Sequence, residues 1–506
     1  MRVISILLSL AVSFSAAGQT IEIVTPVALD AENTGTWQVI LSNPGSQPTF
    51  PFELRVAFGL FHPLDGQVIS APAGCQSGID RWTTCPASGL APGERRVHEY
   101  RLRLTGPYGE VHTYADYGQG LSDRATSVFG RPFPVTNTND SGPGSLRQAI
   151  LDMNAACAEP GVPCAPVFRI DGPVPVEGWF TIRPLAPLPP VTAYFFIIDG
   201  RTQTKHTGDT NPAGPELMLD GSLSWIHGLQ LEGSHVAVTD LAIGNFPGNG
   251  IASNPGFETR IERCHLGMDP SGTRRAPNGL RGAQLEGGTI TVRDNLLAGN
   301  FRSGGWFDTS DDVTITGNRF TDNGASGFYA RTTPGYYNLV EVADNVIAGN
   351  AHAGISLDRE SIGSYADNHF GPNLGRAIDI GIDGPTLAMV PGLPGRGGIV
   401  GAPVVTAVRY ENGETVIEVR LAPRNPLNTY LGETVHVYAS PVDKEGGEPI
   451  VSRTTMENGW KQTFTFRIPR DLRGQWVSAA TFAIYIYNWD DAASGTSEIG
   501  EPRLVQ

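Results

Sequence analysis

Lysine is nearly missing from this chain of 506 residues: Lys205, Lys444 and Lys461 stand against 33 arginines. With a formal net charge of −15, no basic stripe is left to follow a phosphate backbone, which excludes a nucleic-acid partner. Cysteine is scarce as well. Of the five present, Cys75 with Cys85 and Cys157 with Cys164 form two short-spaced pairs suited to disulfides in an oxidising compartment. The fifth, Cys264, sits in the strand-like "IERCHLG" and reads as a buried thiol. No segment approaches the roughly 18 apolar residues of a membrane-spanning helix. HExxH, GxSxG, Walker A and CxxC patterns are all missing, and the ten histidines are scattered. Zinc-protease, serine-hydrolase and nucleotide chemistry therefore find no support in the motifs.

What is present falls into stretches of distinct texture. Residues 1–18 carry Arg2, an apolar run from Val3 to Phe14 and small residues at Ser15, Ala16 and Ala17, the pattern of a cleaved secretory signal. From 19 to 130, "TWQVILSN", "FELRVAFG" and "HEYRLRLTG" alternate apolar and polar residues, as antiparallel strands of a β-sandwich do. Tyr100, Leu102 and Leu104 are expected to face a core while Arg101 and Arg103 face water. From 398 to 506, "TVIEVRLAP", "TVHVYASPV", "QTFTFRIPR" and "TFAIYIYNW" predict a second sandwich, joined through the linker "PGLPGRGG" at 391–398.

Between them lies a repeat. "VRDNLLAGN", "ITGNRFTDN", "VADNVIAGN" and "YADNHFGPN" place Asn295, Asn318, Asn345 and Asn368 in equivalent positions, with Cys264 and Leu241 at the same point upstream. Glycine-rich units of this period, with about two short strands each, predict a parallel β-helix over 131–390. The asparagines are expected to sit at a bend in the left-handed conformation and to stack as an amide ladder. One helix interrupts the β texture. Ser145 and Gln148 have the spacing of a capping box, and Leu146, Ala149, Ile150 and Met153 form one apolar face. An open solenoid end exposes strand edges and core, so this helix, about 145–156, is expected to cap it. The fold class is all-β: a parallel β-helix flanked by two β-sandwiches, with a short capping α-helix.

Two resemblances add to this reading. "NTGTWQVILSNPG" with "AGCQSGIDRWTTCPASGLAPGE" resembles the immunoglobulin-like repeat domain of bacterial surface proteins, including its paired cysteines. "NTNDSGPGSLRQAILDMNAACAEPGVPC", "GWFTIRPLAPLPPV" and "IDGRTQTKHTGDTNPAGPEL" are similar to the segment that opens the solenoid in secreted bacterial right-handed parallel β-helix surface proteins. The ending "YNWDDAASGTSEIGEP" is similar to the C-terminal module of the same family, with Trp489, Asp490 and Asp491 as departures. The resemblance implies a secreted or cell-surface protein with an adhesive or scaffolding role.

Function must come from what the coils display. With Trp306, Phe328, Ile355 and Ile378 directed inward, alternation sends Phe307, Tyr329, Ser356 and Asp379 outward, followed two residues on by Thr309, Arg331 and Asp358. Tyr329, Arg331, Asp358 and Asp379 then share an outer face suited to an extracellular polysaccharide. Catalysis is the alternative: a hydrolase needs paired carboxylates, for which Asp358 and Asp379 are candidates, and a lyase needs a cationic base, for which Arg331 or Arg359 would serve. "FDTSDD" places Asp308, Asp311 and Asp312 at a turn where calcium, the one cofactor these residues admit, would find oxygen ligands. "DGRTQTKHTGDTNPAG" reads as a long loop over the first coils.

Overall fold

The computed structural model describes residues 20–506 apart from internal stretches, the longest being 333–339, 382–401, 422–428 and 456–462, with 359–364 next. The expected signal segment, Arg359, Trp489, Asp490 and the linker at 391–398 lie outside the described residues.

In the N-terminal unit, alternation produces strands with one wet and one dry face. Along Arg95–Leu104, His98, Tyr100, Leu102 and Leu104 are buried between exposed neighbours. That strand pairs antiparallel with Thr34–Ser42, and a second antiparallel sheet centres on Phe52–Phe61. Trp37, Val56, Phe58, Tyr100 and Phe129 from the two sheets meet in one core. A Cys75–Cys85 disulfide closes one loop beside it.

From Phe195 onward strands stack parallel, coil upon coil. Phe195–Asp199 pairs with His235–Thr239, which pairs with Gly256–Glu262, which in turn pairs with Ala283–Arg293. A second parallel sheet of eight short strands runs from Phe180–Ile182 to His369–Phe370. The later coils carry three strands, as in Gly305–Thr309, Val313–Thr316 and Arg319–Thr321, where two were expected. The long strand Ala283–Arg293 bends, pairing along its two halves with different strands of the next coil. Aromatic rings fill the coil interior, with Phe307, Phe320 and Phe328 in mutual contact at centroid distances of 4.8 to 6.4 Å.

Buried amides pin the turns between strands. The Nδ2 of Asn295 donates to Asn318 Oδ1 at 2.9 Å, Asn318 to Asn345 at 2.9 Å, and Asn345 to Asn368 at 2.8 Å. Cys264 closes the row with its backbone, whose N–H donates to Asn295 Oδ1 at 2.8 Å, and burial pushes its thiol up to about 12. The left-handed residue is not the ladder asparagine but the one before it: Asp240, Arg263, Asp294, Gly317 and Asp344 all have φ between 50° and 69°. An asparagine that itself took φ > 0 would turn its amide off the stack. At Gly317 a Cβ would lie 2.1 Å from Asp294 Oδ1, so on this rung the left-handed position is held by glycine.

A second ladder, unmarked in the sequence reading, runs through Asn278, Asn300, Asn323, Asn350 and Asn373 with amide contacts of 2.9 to 3.1 Å. Its signal was present: from Asn300 on, each member lies five residues after a first-ladder asparagine.

The helix spans Leu146–Ala156, and its buried face is Leu146, Ala149, Ile150 and Met153. Ser145 Oγ accepts from the Gln148 N–H at 3.2 Å, but the Gln148 side chain donates to Asp152 instead, so only half of the expected capping box forms. Leu146 lines a small apolar cavity together with Ile182, Ile198, Leu217 and Leu241 of the first coils. Asn154 accepts from the backbone N–H groups of Thr192 and Ala193. Cys157 and Cys164 are disulfide-bonded, and among the described residues Cys264 is the free cysteine. The stretch expected as a loop begins with a helix, Arg201–Thr207. Its buried Gln203 accepts from the Ile170 N–H at 2.8 Å, a contact that no local pattern announces.

At the C-terminal end, two antiparallel sheets, built on Glu414–Arg420 and on Thr429–Ser440 with Trp476–Tyr487, share a core of Ile417, Val419, Val435, Val437, Phe464 and Val477. This module sits on the last coil. The Phe370 N–H donates to Gly447 O at 3.0 Å, Phe370 packs edge-on against Tyr438, and Arg376 pairs with Glu445 at 3.2 Å. No helix among the described residues is long and apolar enough to cross a membrane.

Candidate functional site

Strand register decides which side chains reach the outer face. Trp306 is paired with Tyr329, Tyr329 with Ser356, and Ser356 with Asp379, so these four form one outward column with Gln284 before them. The sequence reading had Trp306 inward and Phe307 outward; the structure reverses them. Phe307 is fully buried, while Gly305 takes the place in line with Phe328, Ile355 and Ile378. With period-two geometry, a slip of one residue exchanges the faces.

Trp306 and Tyr329 stack at 3.9 Å between centroids and 23° between planes. The Arg281 guanidinium lies over the other side of the Trp306 ring at 4.6 Å, a cation–π arrangement. Arg281 is oriented by Gln284 Oε1 at 2.9 Å, and Gln284 donates to Glu286 at 2.8 Å. Burial and the neighbouring Arg302 hold the Arg281 guanidinium below its ordinary value. Tyr329 is largely buried, at 8% exposure, with its hydroxyl 3.3 Å from Asp358 Oδ2. Burial and the Asp358 carboxylate push its phenol up to about 12, so it remains a donor at any physiological pH.

Two residues along, a charged column runs through Glu286, Asp308 and Arg331 in register. Arg331 Nη1 lies 3.6 Å from Asp308 Oδ2. Partial burial raises the Asp308 pKa against the pull of Arg331, and the nearby Glu286 and Asp358 raise it further. Tyr329, Arg331 and Asp358 therefore gather, and Asp308, expected in a turn with Asp311 and Asp312, joins them on the strand. Asp311 and Asp312 are exposed in the turn that follows. Among the described residues no group of three His, Cys, Asp or Glu is arranged to hold a metal ion. Asp379 lies two rungs beyond Tyr329 and lines a cavity against the C-terminal module. Arg281, Gln284, Glu286 and Trp306 escaped the sequence reading as members of this face. Carrying the alignment one coil upstream, to "RGAQLEGG", would have found the first three.

Residues 222–370 match the family described as right-handed β-helix region. That covers the first ladder and the Trp306–Tyr329 stack, and the fold of these coils is a parallel β-helix. No curated protein matches the sequence. Among solved structures, an exo-β-N-acetylglucosaminidase from Vibrio harveyi in complex with N-acetylglucosamine is 14% identical over 24% of this chain and 21% of its own, with a TM-score of 0.16. A β-glucuronidase from Bacteroides uniformis is 10% identical over 97% of this chain and 61% of its own, with a TM-score of 0.17. A calcium-binding mutant of β-glucuronidase 2 from the same organism is 9% identical over 97% and 60%, with a TM-score of 0.16. The chain thus spans about a fifth of the first and about three fifths of the other two. Likeness at this level carries no inference about this protein.

Proposed function

We propose that this β-helix protein is secreted or displayed at a bacterial surface and binds extracellular polysaccharide, in an adhesive or scaffolding role, through the outer face around Trp306 and Tyr329. One observation carries the reading. On adjoining rungs, a guanidinium–indole–phenol stack stands beside a carboxylate–guanidinium pair and a phenol–carboxylate pair. Such a surface offers apolar ring edges to a pyranose and fixed charged groups to its hydroxyls. The two disulfides fit an extracellular destination. The immunoglobulin-like character of residues 19–130 and the sandwich at 398–506 belong to the same proposal.

A second reading rests on Asp308. A carboxyl whose pKa is raised by burial, near a carboxylate held by a phenol, resembles the unequal pair a glycoside hydrolase uses as acid and base. A panel of acidic and neutral polysaccharides, scored for retention and for release of reducing or unsaturated ends, separates the readings. Retention without release is expected. Trp306→Asp should abolish retention while thermal melting stays within a few degrees of the parent, because the side chain lies outside the core. Turnover that Asp308→Asn abolishes would replace the adhesive reading with the hydrolytic one, and retention unchanged in Trp306→Asp would remove this face from both.

A further inference from the structure

We infer, resting on the glycan-binding reading above, that the outward column ends against the C-terminal module and so receives the free end of a polysaccharide chain, not an internal stretch. The floor offered to the chain is the outward column Gln284, Trp306, Tyr329, Ser356 and Asp379 on successive rungs. Four rung spacings of about 4.8 Å give a floor about 19 Å long, the reach of a short oligosaccharide. Ser356, small, 5% exposed and hydrogen-bonded to Ser326 at 2.7 Å, separates Tyr329 from Asp379.

Asp379 belongs to Ile378–Ile380, the last strand of its sheet. There the floor meets a wall. Asp379, His352 and Arg376 bound one side of a cavity of about 670 Å3, and Asp443, Lys444 and Glu445 of the C-terminal module bound the other. Cavities of this size hold small ligands. The wall is fixed to the coil, because Glu445 pairs with Arg376 at 3.2 Å and accepts from the Ala377 N–H at 3.0 Å. On the module side, the Gly446 N–H donates to Ser478 Oγ at 2.9 Å. A polymer lying along the column from Trp306 would run into this loop, whereas a chain terminus can rest in the cavity. The ammonium of Lys444 and the carboxylates of Asp379 and Asp443 provide the donors and acceptors that a terminal sugar presents to be matched.

The test uses the full chain and a polysaccharide retained in the panel above, cleaved to several mean lengths and titrated at constant glycan mass. End capture predicts that apparent affinity per unit mass rises in proportion to the number of chain ends. Lys444→Ala, an exposed position whose change leaves melting unaltered, should weaken binding of the shortest fragments about tenfold, or about 1.4 kcal/mol. Binding that follows glycan mass whatever the end count, or short-chain affinity untouched by Lys444→Ala, would overturn end capture while leaving the glycan-binding reading standing. A panel in which nothing is retained overturns the glycan-binding reading itself, and end capture with it.

Discussion

The two ends of the β-helix are closed by different physics. At the N-terminal end an amphipathic helix buries Leu146, Ile150 and Met153, with Leu146 facing apolar residues of the first coils, so apolar surface covers apolar surface and the stabilisation scales with buried area. At the C-terminal end the cover is polar. Gly447 takes the Phe370 N–H, Glu445 takes the Ala377 N–H and the Arg376 guanidinium, and His436 pairs with Asp367 at 3.3 Å. A solenoid end exposes both core and unpaired backbone, and this chain answers mainly the first need at one end and mainly the second at the other. The difference teaches that closing a β-helix requires no single device, only that core and strand edge both be covered.

The strongest way to break the comparison is Leu146→Asp. Leu146 is 3% exposed, and a carboxylate forced into that apolar contact should cost roughly 5 kcal/mol, freeing the helix and loosening the first coils. Protease cleavage near residues 146–182, together with a lower melting temperature, is the expected signature. Parent-like melting would show that the helix does not hold this end.

Glu445→Ala attacks the other end and should cost about 3 kcal/mol, because it takes from the Arg376 guanidinium, 18% exposed, the 3.2 Å carboxylate that ties it to the module. Hydrogen exchange should quicken at Ala377 and Phe370 while the helix at 146–156 keeps its protection. If protection fell at both ends together, the caps would be one cooperative unit and the distinction drawn here would fail.

The smallest effect is expected from pH. Burial raises the Asp367 carboxyl, but the hydrogen bond and charge of His436 outweigh it and leave the group below its ordinary value. A carboxylate depressed in the folded state lends stability that is present above its unfolded pKa and is lost as pH falls through the folded one. Acid should therefore loosen the C-terminal cap first, by under about 1 kcal/mol for this partly exposed pair. Asp367→Asn should flatten that dependence in melting curves between neutral pH and the carboxylate range. A profile as steep as the parent's would assign the acid sensitivity elsewhere.

How much of this could be read beforehand differs by feature, and the reasons are physical. The helix was legible because its cap and its 3.6-residue face lie within twelve consecutive residues. The asparagine ladder was legible because a solenoid brings one position of each coil to the same place, so stacking in space becomes repetition in sequence. The candidate site was legible only in part. Tyr329, Arg331 and Asp358 were grouped, but "GWF" offers two adjacent aromatics, and either parity satisfies an apolar pattern; packing of Phe307 against Phe320 and Phe328 breaks the tie. Asp379 was placed with the others on rung counting alone, which is blind to the module standing beyond it.

By itself the sequence determined the all-β class, the coil repeat, the amide ladder and the N-terminal cap, because each rests on a period or a motif written in neighbouring or regularly spaced residues. Only the tertiary structure decided that Trp306 faces outward over Arg281, that Asp308 meets Arg331, and that Glu445 and Gly447 close the last coil. The closing contacts join residues with no shared period, up to 77 positions apart between Phe370 and Gly447, whereas Asp308 and Arg331 stand one coil apart in register; all are selected by which buried groups can be packed and paired at the same time.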